Sequence, residues 1–194
     1  FYGAVDWLIA QEVDVISYSC AWLGPYPGDG GSDPHNPVNQ KVSETRAAGV
    51  MFVSSSGNYA DGHNYQAWYE EYQNWGWHHF GGNDASNYFH LAAGQSLYVT
   101  LTWSDWPADP VTAGSSQDYD LDVWIFDGSW VPIALSQNPQ AGLPGQLPFE
   151  EIDYVPSIGA DHAVIIRDIA TTAPQFLSLR TFSSVDFAHF NPEF

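Results

Sequence analysis

The stretch "GVMFVSSSGN", residues 49–58, decides how the first third of this chain is read. A glycine ends whatever precedes it, and a nearly continuous apolar run, Val50 to Val53, follows. The run breaks into three serines, one glycine and Asn58. An apolar run this short, bounded by turn residues, reads as a strand of a parallel sheet covered on both faces. Small polar residues are common where strands end, because glycine and asparagine tolerate turn conformations. A sharper reading is that the Asn58 amide is aimed at something.

The pattern around it is α/β. Phe1, Ala4, Val5, Leu8 and Ile9 recur at helical spacing and share one face. "VDVISYS", 13–19, is short and β-branched, and reads as a strand. A loop rich in Gly, Pro and Asp covers 24–35. A second helix follows, with Asn36 as its cap, Pro37 at its first position and Gly49 past its end. Val38, Val42 and Thr45 line its expected buried face. Helix, strand, helix, strand with short connections predicts part of a doubly wound sheet. Sixty residues are too few to close one, so further strands are expected from elsewhere. The chain also begins inside a helical pattern, which reads as a piece of a longer one.

Beyond residue 60 the character changes. "NYQAWYEEYQNWGWHHFGGND", 64–84, is aromatic and acidic without a clean period, so 61–86 reads as a linker that packs on both neighbours. From 87 to 183 the pattern is β. In "SLYVTLTW", 96–103, Leu97, Val99, Leu101 and Trp103 point one way. In "YDLDVWIF", 119–126, Tyr119, Leu121, Val123 and Ile125 do the same. Further strands are expected at 131–136, 149–155, 161–167 and 175–182. The prediction is an antiparallel β-sandwich of jelly-roll or immunoglobulin-like type, with 184–194 starting a return segment.

Composition narrows the function. The 194 residues carry 23 acidic and 4 basic side chains, a formal net charge of −19. Such a surface repels phosphate backbones and anionic membranes, which argues against nucleic-acid binding. It suits high salt, divalent cations or simple solubility. Cys20 is the single cysteine, so neither an intramolecular disulfide nor a cysteine-built zinc cluster is available. As a nucleophile Cys20 has little support, since it is expected on a buried edge with no group to lower its pKa. No run of 18 apolar residues predicts a membrane span, and no basic-then-apolar leader opens the sequence.

The first 60 residues resemble the subtilisin-like serine proteases. The likeness is carried by the ordered series "AVDWLIAQ", "VDVISYS", "SCAW", the capped helix and "GVMFVSSSGN". The resemblance implies that Asn58 donates its side-chain amide to the oxyanion of a tetrahedral intermediate. It implies that Ser19, Cys20 and Ala21 form an edge pairing with an extended peptide substrate. It also implies that Ser55, Ser56 and Gly57 line the pocket for the residue before the scissile bond. The family's usual Ser-Leu-Gly is Ser19-Cys20-Ala21 here, which adds a methyl where substrate backbone approaches. The family's Gly-Thr-Ser and His-Gly-Thr words, which carry nucleophile and base, do not occur in this sequence. The seven histidines, His35, His63, His78, His79, His90, His162 and His189, read as surface or packing residues. The chain alone is therefore expected not to hydrolyse peptides.

The β region resembles the pre-peptidase or proprotein-convertase-associated jelly rolls, on "LTWSDWP", "QDYDLDVWIFD" and "PFEEIDY". Some secreted subtilases insert such a domain between the oxyanion asparagine and the nucleophile. That resemblance implies an extracellular peptidase whose remaining segments complete the triad. The alternative is a non-catalytic extracellular binding or structural module on a protease-like scaffold.

Two features of the sandwich stand apart from the family. Asp118, Asp120 and Asp122 alternate along one strand face, and Glu150, Glu151 and Asp153 lie on another strand. Hard oxygen ligands gathered this way suit Ca²⁺, with Asp118 and Asp120 as first choices. The plain alternative is an acidic outer face backing an apolar inner one. Trp103, Trp106, Trp124 and Trp130 could form a sugar platform, or Trp103 could be core and the others cover sheet edges.

Overall fold

The computed structural model describes residues 1–20, 37–55, 62–107, 114, 119–171, 175–182 and 185–190. The chain divides into two compact units, Phe1–Gly57 and Asn58–Phe194.

In the first unit, helix α1 (Tyr2–Ala10) precedes strand β1 (Val15–Tyr18), and helix α2 (Pro37–Ala47) precedes strand β2 (Met51–Ser54). The helix face expected from sequence is broadly the one used. Val5 is buried and Phe1, Leu8 and Ile9 pack beside it, while Ala4 is exposed. On α2, Thr45 is fully buried and Val42 partly so. The Thr45 hydroxyl donates to the Lys41 carbonyl at 2.7 Å, which satisfies it one turn back. Gly49, at φ +81, supplies the left-handed residue that turns α2 into β2. Lys41 ties the two helices, with its Nζ 2.7 Å from Asp6 on α1 and a second contact to Glu44.

β1 and β2 pair in parallel, Val15 opposite Met51 through Tyr18 opposite Ser54. Ile16 and Phe52 face the helices. The other face is not covered within the described residues: Val15, Met51 and Val53 are all about half exposed or more. Among the described residues the expectation of burial on both faces is met on one.

The second unit has two antiparallel four-stranded sheets. One has the order β3 (Asn64–Trp68), β10 (Phe176–Thr181), β5 (Leu97–Trp103), β8 (Phe149–Tyr154). The other has the order β4 (Asn87–Leu91), β9 (Ala160–Thr171), β6 (Tyr119–Asp127), β7 (Pro132–Ser136). Their inner faces share one core, in which Leu97, Val99 and Leu101 meet Leu121, Val123 and Ile125. Every residue expected inward on β5 and β6 whose side chain is described is buried, while Thr100 and Asp122, at the outward parity, are buried as well; the side chain of Tyr119 lies outside the described ones. The 61–86 stretch, read from sequence as a linker, supplies β3 and two core residues, Tyr65 and Phe80. Its aromatic density disguised an edge strand that pairs Asn64–Trp68 with β10. Among the described residues no helix is long and apolar enough to cross a membrane.

The first and last described segments of this unit meet. Phe187 N–H donates to the Gly62 carbonyl at 2.7 Å, and Thr181 N–H to the His63 carbonyl at 2.9 Å. Gly62 sits at φ +76, and a Cβ there would fall 2.7 Å from the Asp186 Cβ. Only glycine fits both the backbone conformation and the close approach.

Candidate functional site

The parallel pair ends in an orderly way. Tyr18 is the last residue of β1, and Ser54 opposite it is the last of β2. Pairing continues one step further, because Ser55 N–H donates to the Tyr18 carbonyl at 3.1 Å. Ser19 and Cys20 therefore leave β1 beside the point where Ser55 leaves β2. The Ser54 hydroxyl donates to the Ser55 carbonyl at 3.2 Å and steadies that exit. Ser19, Cys20 and Ser55 are all exposed. Cys20 is thus on an open edge rather than the buried one expected, because it lies beyond the last paired residue. Ligands of parallel sheets bind just outside the carboxyl ends of the strands, which is where these residues stand. Ala21, Ser56, Gly57 and Asn58 lie outside the described residues.

A family model described as the subtilase family matches residues 2–107, more than half of the chain. The chain belongs to the subtilase family. The match covers the helix, strand, helix, strand series and both strand ends, and it runs on into the sandwich through β5. None of the curated proteins matches the chain. This subtilase segment is a portion of a serine peptidase of the family, and peptides or proteins are the substrate class that goes with it.

The other candidates sort differently. Asp118 lies outside the described residues. Asp120 is half-buried at the start of β6, where the register with β9 shifts between Asp120 and Leu121. Burial raises its pKa, the negative charges of Asp122 and Asp168 raise it further, and the Gln140 backbone N–H opposes them. Asp120 Oδ1 is enclosed without a hydrogen-bond partner. Asp122 is buried and accepts from Gln137 Nε2 at 2.8 Å and Trp124 Nε1 at 3.3 Å.

Glu150 is fully buried, and its donors are accounted for. Asn138 N–H at 2.8 Å and Gln140 Nε2 at 3.3 Å reach Oε1. Asn138 Nδ2 at 2.9 Å and the Ser136 hydroxyl reach Oε2. Burial pushes the carboxyl up to about 7, while these donors pull the other way. Glu150 is a structural network, not a waiting ligand. Its parity with buried Ile152 on β8 was the sequence signal for an inward side chain. Glu151 and Asp153 are exposed. Among the described residues no three His, Cys, Asp or Glu side chains are gathered closely enough to hold a metal ion.

Of the four tryptophans, Trp103 is core, 2% exposed. Trp106 is half-buried. Trp124 and Trp130 lie on the outer face of the β4–β9–β6–β7 sheet, together with Phe126 and Tyr88, which the sequence did not single out. Of the histidines, read from sequence as surface or packing residues, His78 is a packing one. It is fully buried, 2.9 Å from the Tyr65 hydroxyl through Nε2, and receives the Glu70 N–H at Nδ1 at 3.3 Å. An acceptor at Nδ1 places the neutral ring's proton on Nε2, so His78 donates to Tyr65. Burial holds its pKa down to about 3, so it is neutral at physiological pH. His35 lies outside the described residues. The remaining histidines bond to backbone carbonyls or sit near carboxylates at the surface.

Proposed function

We propose that the chain is a portion of a secreted subtilisin-like serine endopeptidase. It supplies the oxyanion donor Asn58 and the substrate edges Ser19–Cys20–Ala21 and Ser55–Ser56–Gly57. Nucleophile, base and aspartate come from other segments of the peptidase chain, because neither the Gly-Thr-Ser nor the His-Gly-Thr word occurs in this sequence. The observation that carries the reading is the Ser55 N–H to Tyr18 carbonyl bond, which holds the two strand ends side by side within the family match. A substrate laid along such an edge is read by backbone hydrogen bonds. A neutral amide fixed just beyond it meets charge that exists only in the transition state.

The sandwich, in this reading, is a jelly-roll domain inserted after Asn58. Supporting this, its first and last described segments meet at Gly62 and Phe187. A domain with neighbouring ends can be inserted in a loop without prying the host apart. Calcium at the start of β6, with Asp120 as a ligand, belongs to the same proposal. On a flat strand, alternate carboxylates stand about 7 Å apart. The register with β9 shifts between Asp120 and Leu121, the extra residue, Ile169, being on β9, so a second ligand has to come from a neighbouring segment.

The test is Asn58→Ala in the full-length active peptidase. For a donor of this kind the loss measured in subtilisin itself is about 10²–10³-fold in kcat, and that figure is carried over here. KM should barely move. A variant within threefold of wild type in kcat removes Asn58 from the mechanism. A parent that does not turn over peptides at all would leave the alternative, a non-catalytic extracellular module.

A further inference from the structure

The outer face of the β4–β9–β6–β7 sheet carries a corner of rings at one end. Tyr88 on β4 and Phe126 on β6 both pair with Ala163 of β9, so they flank one small residue on the same face. Trp130 comes from the turn that follows β6. Its ring lies 6.0 Å from Phe126 and 6.4 Å from Tyr88, and stands nearly perpendicular to Tyr88, at 82°. Trp130 and Tyr88 remain 51% and 41% exposed. Behind them Trp124 stacks on Phe126 at 17°, and Arg167 lies 5.3 Å over the Trp124 ring. The row is therefore buttressed at its closed end and open at the corner.

The turn is built to hold Trp130 there. Asp127 Oδ1 accepts from the N–H groups of Ser129 and Val131, both at 2.9 Å. Trp130 sits at φ +61. A bulky residue in the left-handed region is strained by about 1–3 kcal/mol, and such strain gathers at functional sites. A glycine would fold this turn more easily, so the strain is carried by the ring-bearing residue. Two residues along from Tyr88, His90 Nδ1 lies 2.7 Å from Asp161 Oδ1, and both side chains are largely exposed. A Cβ on Gly128 of the turn would stand 3.6 Å from the Asp161 carbonyl, so this polar pair borders the corner.

We propose that the Tyr88–Trp130 corner, rimmed by His90 and Asp161, binds a sugar ring of a neutral glycan. Aromatic faces accept the C–H faces of a pyranose. Two rings at right angles hold it from the side and from below, and the His–Asp pair meets its hydroxyls. Charge selects against the alternatives. With −19 on the chain and two carboxylates beside the corner, Asp127 and Asp161, polyanions are repelled. A protein partner needs about 800 Å² on each side, far more than a corner of three rings and a polar pair. The inference is independent of the peptidase reading.

The experiment titrates the chain with cellohexaose and with chitohexaose, followed by tryptophan fluorescence and calorimetry, with heparin as the polyanion. Saturable binding of a neutral hexasaccharide, and none of heparin, is expected. Trp130→Gly should abolish it, with at least a tenfold loss of association constant, while leaving the melting temperature equal or higher because the strain is gone. Tyr88→Ala should weaken binding similarly. Trp68→Ala, 61% exposed on the other sheet, should leave it unchanged. No saturable binding of either hexasaccharide overturns the proposal. So does undiminished binding by a folded Trp130→Gly, or loss of signal only through concentration-dependent pairing of chains.

Discussion

Among the described residues the first unit buries three apolar side chains, Val5, Ile16 and Val50, with five more packed around them. The second buries eighteen in one cluster spanning both sheets. Each of those eighteen contributes on the order of 1.5–3 kcal/mol of transfer free energy when fully buried. The first unit holds the strand ends assigned to substrate, yet it leaves the Val15, Met51 and Val53 face bare among the described residues. The sandwich has a complete core and no assigned part in peptide hydrolysis. A substrate edge of the kind proposed does not require a self-sufficient core on the same segment of chain. It requires strand ends held in register, and β1 and β2 are so held.

That contrast can be broken first by cavities. Leu101→Ala in β5 removes a fully buried side chain and should destabilise the sandwich by about 2–5 kcal/mol. Ile16→Ala should destabilise the first unit by less, because its surroundings are thin enough to collapse. Hydrogen exchange read by mass spectrometry separates the two. Leu101→Ala should speed exchange in β5, β6, β9 and β10 and leave 15–18 and 51–54 unchanged. If both regions accelerate together, the chain unfolds as one unit.

The next effect is a pH slope confined to the sandwich. His78 has its pKa lowered from 6.5 to about 3, so the unfolded state binds the extra proton. Its contribution is complete above about pH 6.5 and is lost as pH falls toward 3. Glu150 is raised from 4.5 to about 7, which has the opposite sign. Its contribution is complete below about 4.5 and is lost as pH rises toward 7. Between 4.5 and 6.5 the two oppose each other, each at up to about 1.4 kcal/mol per pH unit. His78→Phe should therefore tilt that interval, making the variant more stable at pH 4.5 than at 6.5 relative to wild type. Urea titrations at five pH values would show it. Parallel wild-type and variant curves would mean that His78 titrates normally.

The smallest expected effect sits at the start of β6. Calcium should raise the melting temperature of the chain above magnesium at matched ionic strength, since it binds the folded state only. The increment should vanish in Asp120→Asn. Equal stabilisation by both salts would leave only charge screening of an acidic strand face.

How much was legible follows from what each signal depends on. The strands β5 and β6 were visible because their apolar residues recur at every second position, and β7 to β10 because turn residues bound short apolar runs; both signals survive without any neighbour in view. The helices of the first unit were visible for the same kind of local reason, as were the glycine at 49 and the ordered series that carries the family likeness. β3 was not, because Asn64–Trp68 is an edge strand whose burial comes from β10, more than a hundred residues later. For His78 the sequence left surface and packing both open, and the fold chose packing by bringing Tyr65, Tyr69 and Phe80 around it.

The sequence by itself determined the periodicities, the extreme negative charge, the absence of the nucleophile and base words, and the family series up to Asn58. Those are properties of residues within a few positions of one another or of the chain summed. The tertiary structure alone decided that Ser55 runs out beside Ser19, that Trp130 is held outward beside Tyr88, and that Glu150 is enclosed by four donors. Each of these depends on which distant segment arrives opposite. Register is a choice among pairings that local pattern leaves open, and the core makes that choice.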